Sequence, residues 1–311
     1  MDFNEGADLD AGEIRDLRGV TGGIGGRVVA GGGGLGIVGV IIYLLLSQFG
    51  GGFGNLGGGF GLDRGLAGLG SGQQVTNSDL SSECRTGADA KRNHDCAIVA
   101  IVNSIQDYWS NAFARSGTTY RPATTTFFTD RVETACGAAD SSIGPFYCPA
   151  DEGVYLNLSF FEDVLQRRFG AEGGLFAEAY VLAHEYGHHV QNLLGRSSRI
   201  NHNETGPTSG LVRLELQADC YAGVWAHNAA TTPTESGEPL ITNITQEDIR
   251  QALDAAQHIG DDYLQREFGG GRVDESQFSH GTSAQREKWL LTGLNTGDPA
   301  ACDTFNTNDL G

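Results

Sequence analysis

Leu175-Phe-Ala-Glu-Ala-Tyr-Val-Leu-Ala-His-Glu-Tyr-Gly-His-His-Val-Gln-Asn-Leu-Leu194 is the stretch whose reading decides the fold. It is too long and too rich in Ala and Leu for a strand, holds no proline, and is followed by Gly195, so it predicts one long helix. His184 and His188 stand four positions apart, on one face of that helix, where both imidazoles can point at a single ion. Glu185 sits beside that face, within reach of a water held by the ion. Gly187, between the histidines, lets another backbone come close.

Two histidines do not complete a metal site. Zinc suits this donor set, and it lowers the pKa of a bound water so that a neighbouring carboxylate can take its proton during attack on a carbonyl. A third histidine on the spacing H-x-x-G-x-x-H is excluded, because Gln191 and Leu194 occupy those positions. The other source is a carboxylate on a later helix, and Glu215-Leu-Gln-Ala-Asp219 provides one. Glu215 and Asp219 share a face of a helix over 211–228 that is otherwise apolar, where buried acids are costly without a metal or partner. Glu215 is the expected third ligand and Asp219 the runner-up; the acid that does not bind can fix a ligand histidine's tautomer from behind. His280 is a candidate donor to a developing oxyanion, with Tyr186 a lesser candidate; its other reading is a structural histidine near a helix start. His94, His189, His202, His227 and His258 read as structural or solvated.

Outward from this helix pair, helical periodicity predicts a core helix over 97–114. Strands are predicted over 124–132 and 154–159, with a turn into a short strand over 144–148. Ser159 reads as the N-cap of a helix running to Arg168. Thr245 with Asp248 resembles a capping box, and a last helix is expected over 283–294. A helix, a few strands and then helices argue α+β rather than a doubly wound sheet.

The chain carries 47 glycines in 311 residues, and 23 of them fall between Gly19 and Gly72, so the excess belongs to one segment. From Val28 to Phe49 no residue is charged, and a helix of that length spans the roughly 30 Å hydrocarbon core. Arg15, Arg18 and Arg27 precede the stretch and only Arg64 follows closely, which would keep the N-terminus inside. The stretch is long for a signal peptide, and no A-x-A-like site follows it. The expected organisation is an acidic, glycine-rich cytoplasmic tail over 1–27, a transmembrane helix over 28–49, a glycine-rich linker over 50–82 with a reach of roughly 30 Å, and one catalytic domain over 83–311. The formal net charge of -19 argues against nucleic acid as a partner. All six cysteines follow the apolar stretch and none forms C-x-x-C, which fits disulfides in an exported domain. Six cysteines allow 15 pairings; locality favours Cys84–Cys96 and Cys136–Cys148, leaving Cys220 with Cys302.

The assembled stretches resemble the bacterial neutral zinc metallopeptidases, membrane-anchored proteins with a glycine-rich N-terminus. The matching segments are Gly144-Pro-Phe-Tyr-Cys-Pro149, Val154-Tyr-Leu-Asn-Leu-Ser-Phe-Phe161, Ala183-His-Glu-Tyr-Gly-His-His-Val-Gln-Asn192, Leu214-Glu-Leu-Gln-Ala-Asp-Cys220 and His280-Gly-Thr-Ser-Ala-Gln-Arg286. The resemblance implies a gluzincin-like zincin domain, with zinc on His184, His188 and Glu215 and with Glu185 as general base. It implies an endopeptidase that acts on peptides or proteins outside the cytoplasmic membrane, to which one helix ties it. It also suggests that Val154 to Ser159 is an edge strand along which an extended peptide lies. A different class of reading is a zinc-stabilised envelope binding protein without turnover.

Overall fold

The computed structural model describes residues 1–19 and 78–311. The expected transmembrane helix over 28–49 and most of the expected linker lie outside the described residues. Among the described residues, no helix is long and apolar enough to cross a membrane.

The fold is α+β with small sheets and long helices. The elements are β1 (Asp2–Phe3), β2 (Ile14–Asp16), α1 (Ser78–Glu83), α2 (Gly87–Ala90), α3 (His94–Arg115), β3 (Thr124–Phe127), β4 (Arg131–Thr134), β5 (Gly137–Asp140), β6 (Phe146–Cys148), β7 (Gly153–Leu156), α4 (Leu175–Leu193), α5 (Gly210–Asn228), β8 (Ile241–Asn243), α6 (Gln246–His258), α7 (Asp261–Phe268) and α8 (Ser283–Thr296). Four strands form the main sheet in the order β2-β3-β7-β6. The first three run parallel, and β6 is antiparallel to β7 in the register Phe146↔Tyr155, Tyr147↔Val154, Cys148↔Gly153.

Several expectations need correction here. The expected strand over 124–132 is two strands, β3 and the start of a β4–β5 hairpin, because the chain turns at 128–130. The segment from Val154 to Ser159 is not an edge: β7 lies between β3 and β6, and β6 is the edge strand on that side. Ser159 does not cap a regular helix. Asn157 accepts the Ser159 N–H at 2.9 Å, and a single π-helical stretch, Phe161–Gln166, follows.

Residues 1–18 also depart from the expected tail, since they are built into the domain. β2 pairs with β3 in the register Ile14↔Thr125, Arg15↔Thr126, Asp16↔Phe127, and β1 pairs with β8. Phe3, Ala7, Ala11 and Ile14 enter the same apolar core as α3, α4 and α5. Asn103 on α3 exchanges bonds with Asp10: its Oδ1 accepts the Asp10 N–H at 2.9 Å, and its Nδ2 donates to the Asp10 carbonyl at 2.9 Å. Alternation of apolar residues over so short a segment gives no period to read, so the docking is a property of the sheet it joins.

α4 starts after Gly174, is buried from Phe176 to Gln191, and ends before Gly195, whose φ of 67° closes the turn. α5 is capped by the Ser209 hydroxyl, which accepts from the Val212 N–H. The two helices meet where Gly187 faces Ala218: a Cβ on Gly187 would stand 3.0 Å from the Ala218 Cα. α5 meets α8 more closely still, and a Cβ on Gly293 would stand 1.9 Å from the Cys220 carbonyl oxygen. Glycine is required at that crossing. Three disulfides, Cys84–Cys96, Cys136–Cys148 and Cys220–Cys302, close on the pairing that locality favours. The last fixes the C-terminal tail to α5 one residue beyond Asp219.

Candidate metal centre

α4 and α5 bring His184, His188 and Glu215 together. One donor atom from each lies within 4.8 Å of the others, and all three side chains are buried. His184 Nε2 is 3.1 Å from one Glu215 oxygen, and His188 Nε2 is 3.5 Å from the other. Asp219 is not in this cluster. It stands behind His184, with Oδ1 2.8 Å from Nδ1, so of the two expected roles it takes the orienting one.

The partners of Asp219 come from distant parts of the chain. Arg286 on α8 holds both of its oxygens, with Nε to Oδ2 and Nη2 to Oδ1 each at 2.9 Å. The Tyr180 hydroxyl donates to Oδ1 at 2.7 Å. Burial would raise the Asp219 carboxyl, but Arg286 and then His184 outweigh it and hold it at about 2. Burial would depress His184, yet Asp219 and Glu215 raise it to about 9. Burial acts on Glu215 too, but the His188 and His184 charges hold its carboxyl well below the usual range. In the metal-free chain these three groups thus keep charge by pairing with one another.

Glu185 behaves oppositely. Burial raises its pKa, and His184 and His188 only partly offset this. His280 is brought to the same cleft by Asp261 at the start of α7. Asp261 Oδ2 accepts the N–H groups of Ser279, His280 and Gly281 at 2.7, 2.7 and 3.0 Å, and its Oδ1 lies 3.1 Å from His280 Nδ1. His280 Nε2 is left free to face the cleft. Tyr186 is turned away: its hydroxyl is 2.8 Å from Thr125 Oγ1 in the core, so it is no oxyanion donor. His189 is structural as expected, bonded to the Tyr147 hydroxyl and the Arg121 carbonyl.

A test of whether these residues fit a metal comes from polar satisfaction. Among the described residues, five buried side-chain nitrogen or oxygen atoms lack a hydrogen-bond partner, and four are Glu185 Oε2, His188 Nε2, Glu215 Oε1 and His280 Nε2. Buried polar atoms are rarely left unpaired. Four at one place mark a site built for something that binds there. Two imidazoles and one carboxylate, with an open side, match the donor set of a catalytic zinc site.

Two pockets flank the cluster. One, beside Glu185 and His280, has apolar walls from Pro145, Phe160, Val181 and Ile259. The other, beside His188, has a volume of about 240 Å³ and is lined by Tyr147, Asn192, Ser197, Ser198 and His202 among others. β6 and its flanks contribute to both.

Sequence reasoning assigned no role to Tyr180, Gln191, Asp261 or Arg286. Tyr180 and Gln191 had a signal, since they lie four residues before His184 and three after His188 on the same helix. Asp261 had none, and Arg286 had only its place at the end of the matching stretch from His280.

A fold in which two helices present a buried His-His-Glu cluster to an open cleft, with a protonatable glutamate beside it, defines a metal-dependent hydrolase class of site. A family model described as "Putative neutral zinc metallopeptidase" matches residues 1–305, and the chain belongs to this family. An uncharacterized protein of Mycobacterium tuberculosis is 48% identical over 231 residues, covering 74% of this chain and 77% of the relative. The uncharacterized protein YpfJ of Escherichia coli K12 is 40% identical over 246 residues, covering 77% and 80%. No solved structure matches the chain.

Proposed function

We propose that this chain is a zinc-dependent endopeptidase of gluzincin-like design that hydrolyses peptide bonds in extended peptides or unfolded proteins. The observation that carries the reading is the meeting of the three candidate ligands with the unpartnered atoms of Glu185 and His280 in one cleft. His184, His188 and Glu215 would hold the metal. Zinc, when bound, supplies a Lewis acid that polarises the scissile carbonyl and acidifies water. Glu185 acts as general base: its Oε2 takes the proton of the attacking water, and the raised pKa of the carboxyl suits it to pass that proton to the leaving amine nitrogen. His280 donates from Nε2 to the carbonyl oxygen as negative charge develops there, while Asp261 holds its Nδ1. Asp219, anchored by Arg286, keeps the His184 Nδ1 as the donor and so leaves Nε2 for the metal. Among the described residues β6 pairs only with β7, and its other side would take an extended peptide by strand addition beside the metal cluster.

Glu185→Gln tests the reading. It should retain stoichiometric zinc and lose at least about 10³-fold in turnover of peptides, a loss on the scale of a general base and its proton transfers. Zinc-loaded wild type and Glu185→Gln that are equally inert across broad peptide panels would remove the peptidase reading. A cellular phenotype that survives Glu185→Gln but not His184→Ala would favour the zinc-stabilised binding protein instead.

The site of action that fits three disulfides is outside the cytoplasm, with the apolar stretch 28–49 as the membrane tie. The sheet pairing of residues 14–16 supports a topology other than the expected one, with residues 1–18 on the same side of the membrane as the domain rather than across it. Single cysteines introduced as Glu5→Cys and Glu238→Cys, both at exposed positions, should react equally with an impermeant maleimide on intact cells. Labelling at 238 but not at 5 until lysis would restore the N-terminus-inside topology.

A further inference from the structure

The His188 side of the cluster carries a residue with no assigned role. Gln191 is fully buried, three positions beyond His188 on α4, and its Oε1 is 2.9 Å from His188 Nδ1. Its Nε2 donates to the Leu214 carbonyl at 2.7 Å and to Gln217 Oε1 at 3.3 Å. Leu214 immediately precedes Glu215. Gln217 in turn donates through Nε2 to the Cys302 carbonyl at 2.8 Å, and Cys302 is bonded to Cys220 of α5.

Direction in this chain is set at its ends. A backbone carbonyl can only accept, so the Cys302 carbonyl requires the Gln217 amide nitrogen, which turns Gln217 Oε1 toward Gln191. The Leu214 carbonyl and Gln217 Oε1 both require the Gln191 amide nitrogen. Reversing the Gln191 amide would set its oxygen against two acceptors. Its Oε1 therefore faces His188, whose Nδ1 must carry the hydrogen, and the lone pair is left on Nε2, the unpartnered atom at the cluster. The network thus leaves one orientation for the Gln191 amide.

We propose that Gln191 is the positioning residue that fixes the His188 tautomer and holds that ring in register with Glu215, so that the two ligands reach the metal as a pair. It rests on the reading of the cluster as a zinc site. Because the anchor of the amide is the carbonyl next to Glu215, one side chain couples a tautomer on α4 to the placement of a ligand on α5. The Cys302 carbonyl, tied by disulfide to α5, sets the direction from the far end.

The test uses the full-length chain and two readouts apart from turnover. In metal-free wild type at alkaline pH, long-range proton–nitrogen correlation spectra should show His188 as the Nδ1–H tautomer. Gln191→Met should give a mixture of tautomers and weaken zinc binding by about 10- to 100-fold in competition with a chromophoric chelator, the usual scale for a residue that orients a ligand. Gln191→Glu, which keeps an acceptor for His188 but sets a carboxylate against two acceptors, should also bind zinc more weakly than wild type. Leu194→Ala, three residues away, exposed and outside the network, should leave both readouts unchanged. An Nε2–H tautomer in wild type overturns the proposal, and that measurement stands even if Gln191→Met does not fold. Zinc affinity of folded Gln191→Met within twofold of wild type overturns it as well. Wild type that shows the Nδ1–H tautomer yet binds no zinc would overturn it through the zinc reading on which it rests, whereas either result above leaves that reading intact.

Discussion

The two candidate ligand histidines, His184 and His188, sit one helical turn apart, but they are held by opposite kinds of chemistry. His184 is backed by charge: Asp219, gripped by both Arg286 nitrogens, with Tyr180 completing the shell. His188 is backed by neutral amides, Gln191 and Gln217, that end on a backbone carbonyl. A carboxylate behind an imidazole raises its basicity, whereas an amide fixes direction without adding charge. The difference teaches that one site can orient both ligands while placing only one extra negative charge, and its counter-charge, in the core.

The largest effect should come from breaking the charged side. Asp219→Asn leaves the buried Arg286 guanidinium without its carboxylate, and losing one member of a buried pair costs about 3–5 kcal/mol. Chemical denaturation of the metal-free variant measures this. Breaking the neutral side should cost less: Gln191→Met leaves buried amide and carbonyl groups unpaired at about 1–3 kcal/mol. Equal losses from the two variants would show that charge is not what separates the two sides. Gly187→Ala tests the crossing on which both sides depend. Its Cβ would stand 3.0 Å and 3.1 Å from the Ala218 Cα and Cβ, so we expect a loss of about 1–2 kcal/mol, within the range of overpacking. Weaker zinc binding should accompany it. Unchanged stability and zinc affinity would show that the helices separate there without strain.

The smallest effect concerns a half-buried carboxylate outside the metal cluster. Glu13, in the N-terminal segment, has amides for partners instead of a cation: Asn103 Nδ2 donates to it at 2.6 Å. Burial raises it to about 7, and the amide bonds from Asn103 and Gln106 do not compensate. Asp219, fully buried but paired with Arg286, is held at about 2. The signs follow. The Asp219 contribution is present above its usual value of 3.8 and is lost as pH falls toward 2 in the metal-free chain. The Glu13 contribution is full below its usual value of 4.5 and is lost as pH rises through about 7. Glu13→Gln should therefore protect residues 10–16 better from hydrogen exchange above pH 7, by on the order of 1 kcal/mol. Protection that is independent of pH in wild type would refute the contrast.

How much of this was legible depended on how local each feature is. The α4 boundaries, the capping box at Thr245 and Asp248, and the disulfide pairing followed from spacing within a few turns or from sequence proximity. The strand over 124–132 misled because the run of Thr and Phe from Thr124 to Thr129 carries on into the turn at 128–130, so the end of β3 at Phe127 leaves no mark in composition. The edge strand was misassigned because hydrophobic alternation in 154–159 says that a strand is half-buried or buried, not what lies on either side of it. α7 went unread, and with it Asp261, because its eight residues complete only about two turns, too few to establish a period in the sequence.

The sequence by itself determined the pair His184 and His188, the neighbouring Glu185, the candidacy of Glu215 and Asp219, and the zinc chemistry these imply. Helical repetition fixes the relation of residues three or four apart wherever the helix lies. The tertiary structure decided that Glu215 faces the histidines while Asp219 stands behind, that Arg286 closes on Asp219 from 67 positions away, and that residues 1–18 add two strands to the domain. Those outcomes depend on which helices pack together and at what distance, a matter settled by close approaches such as Gly187 on Ala218 and Gly293 on Cys220, which no local spacing encodes.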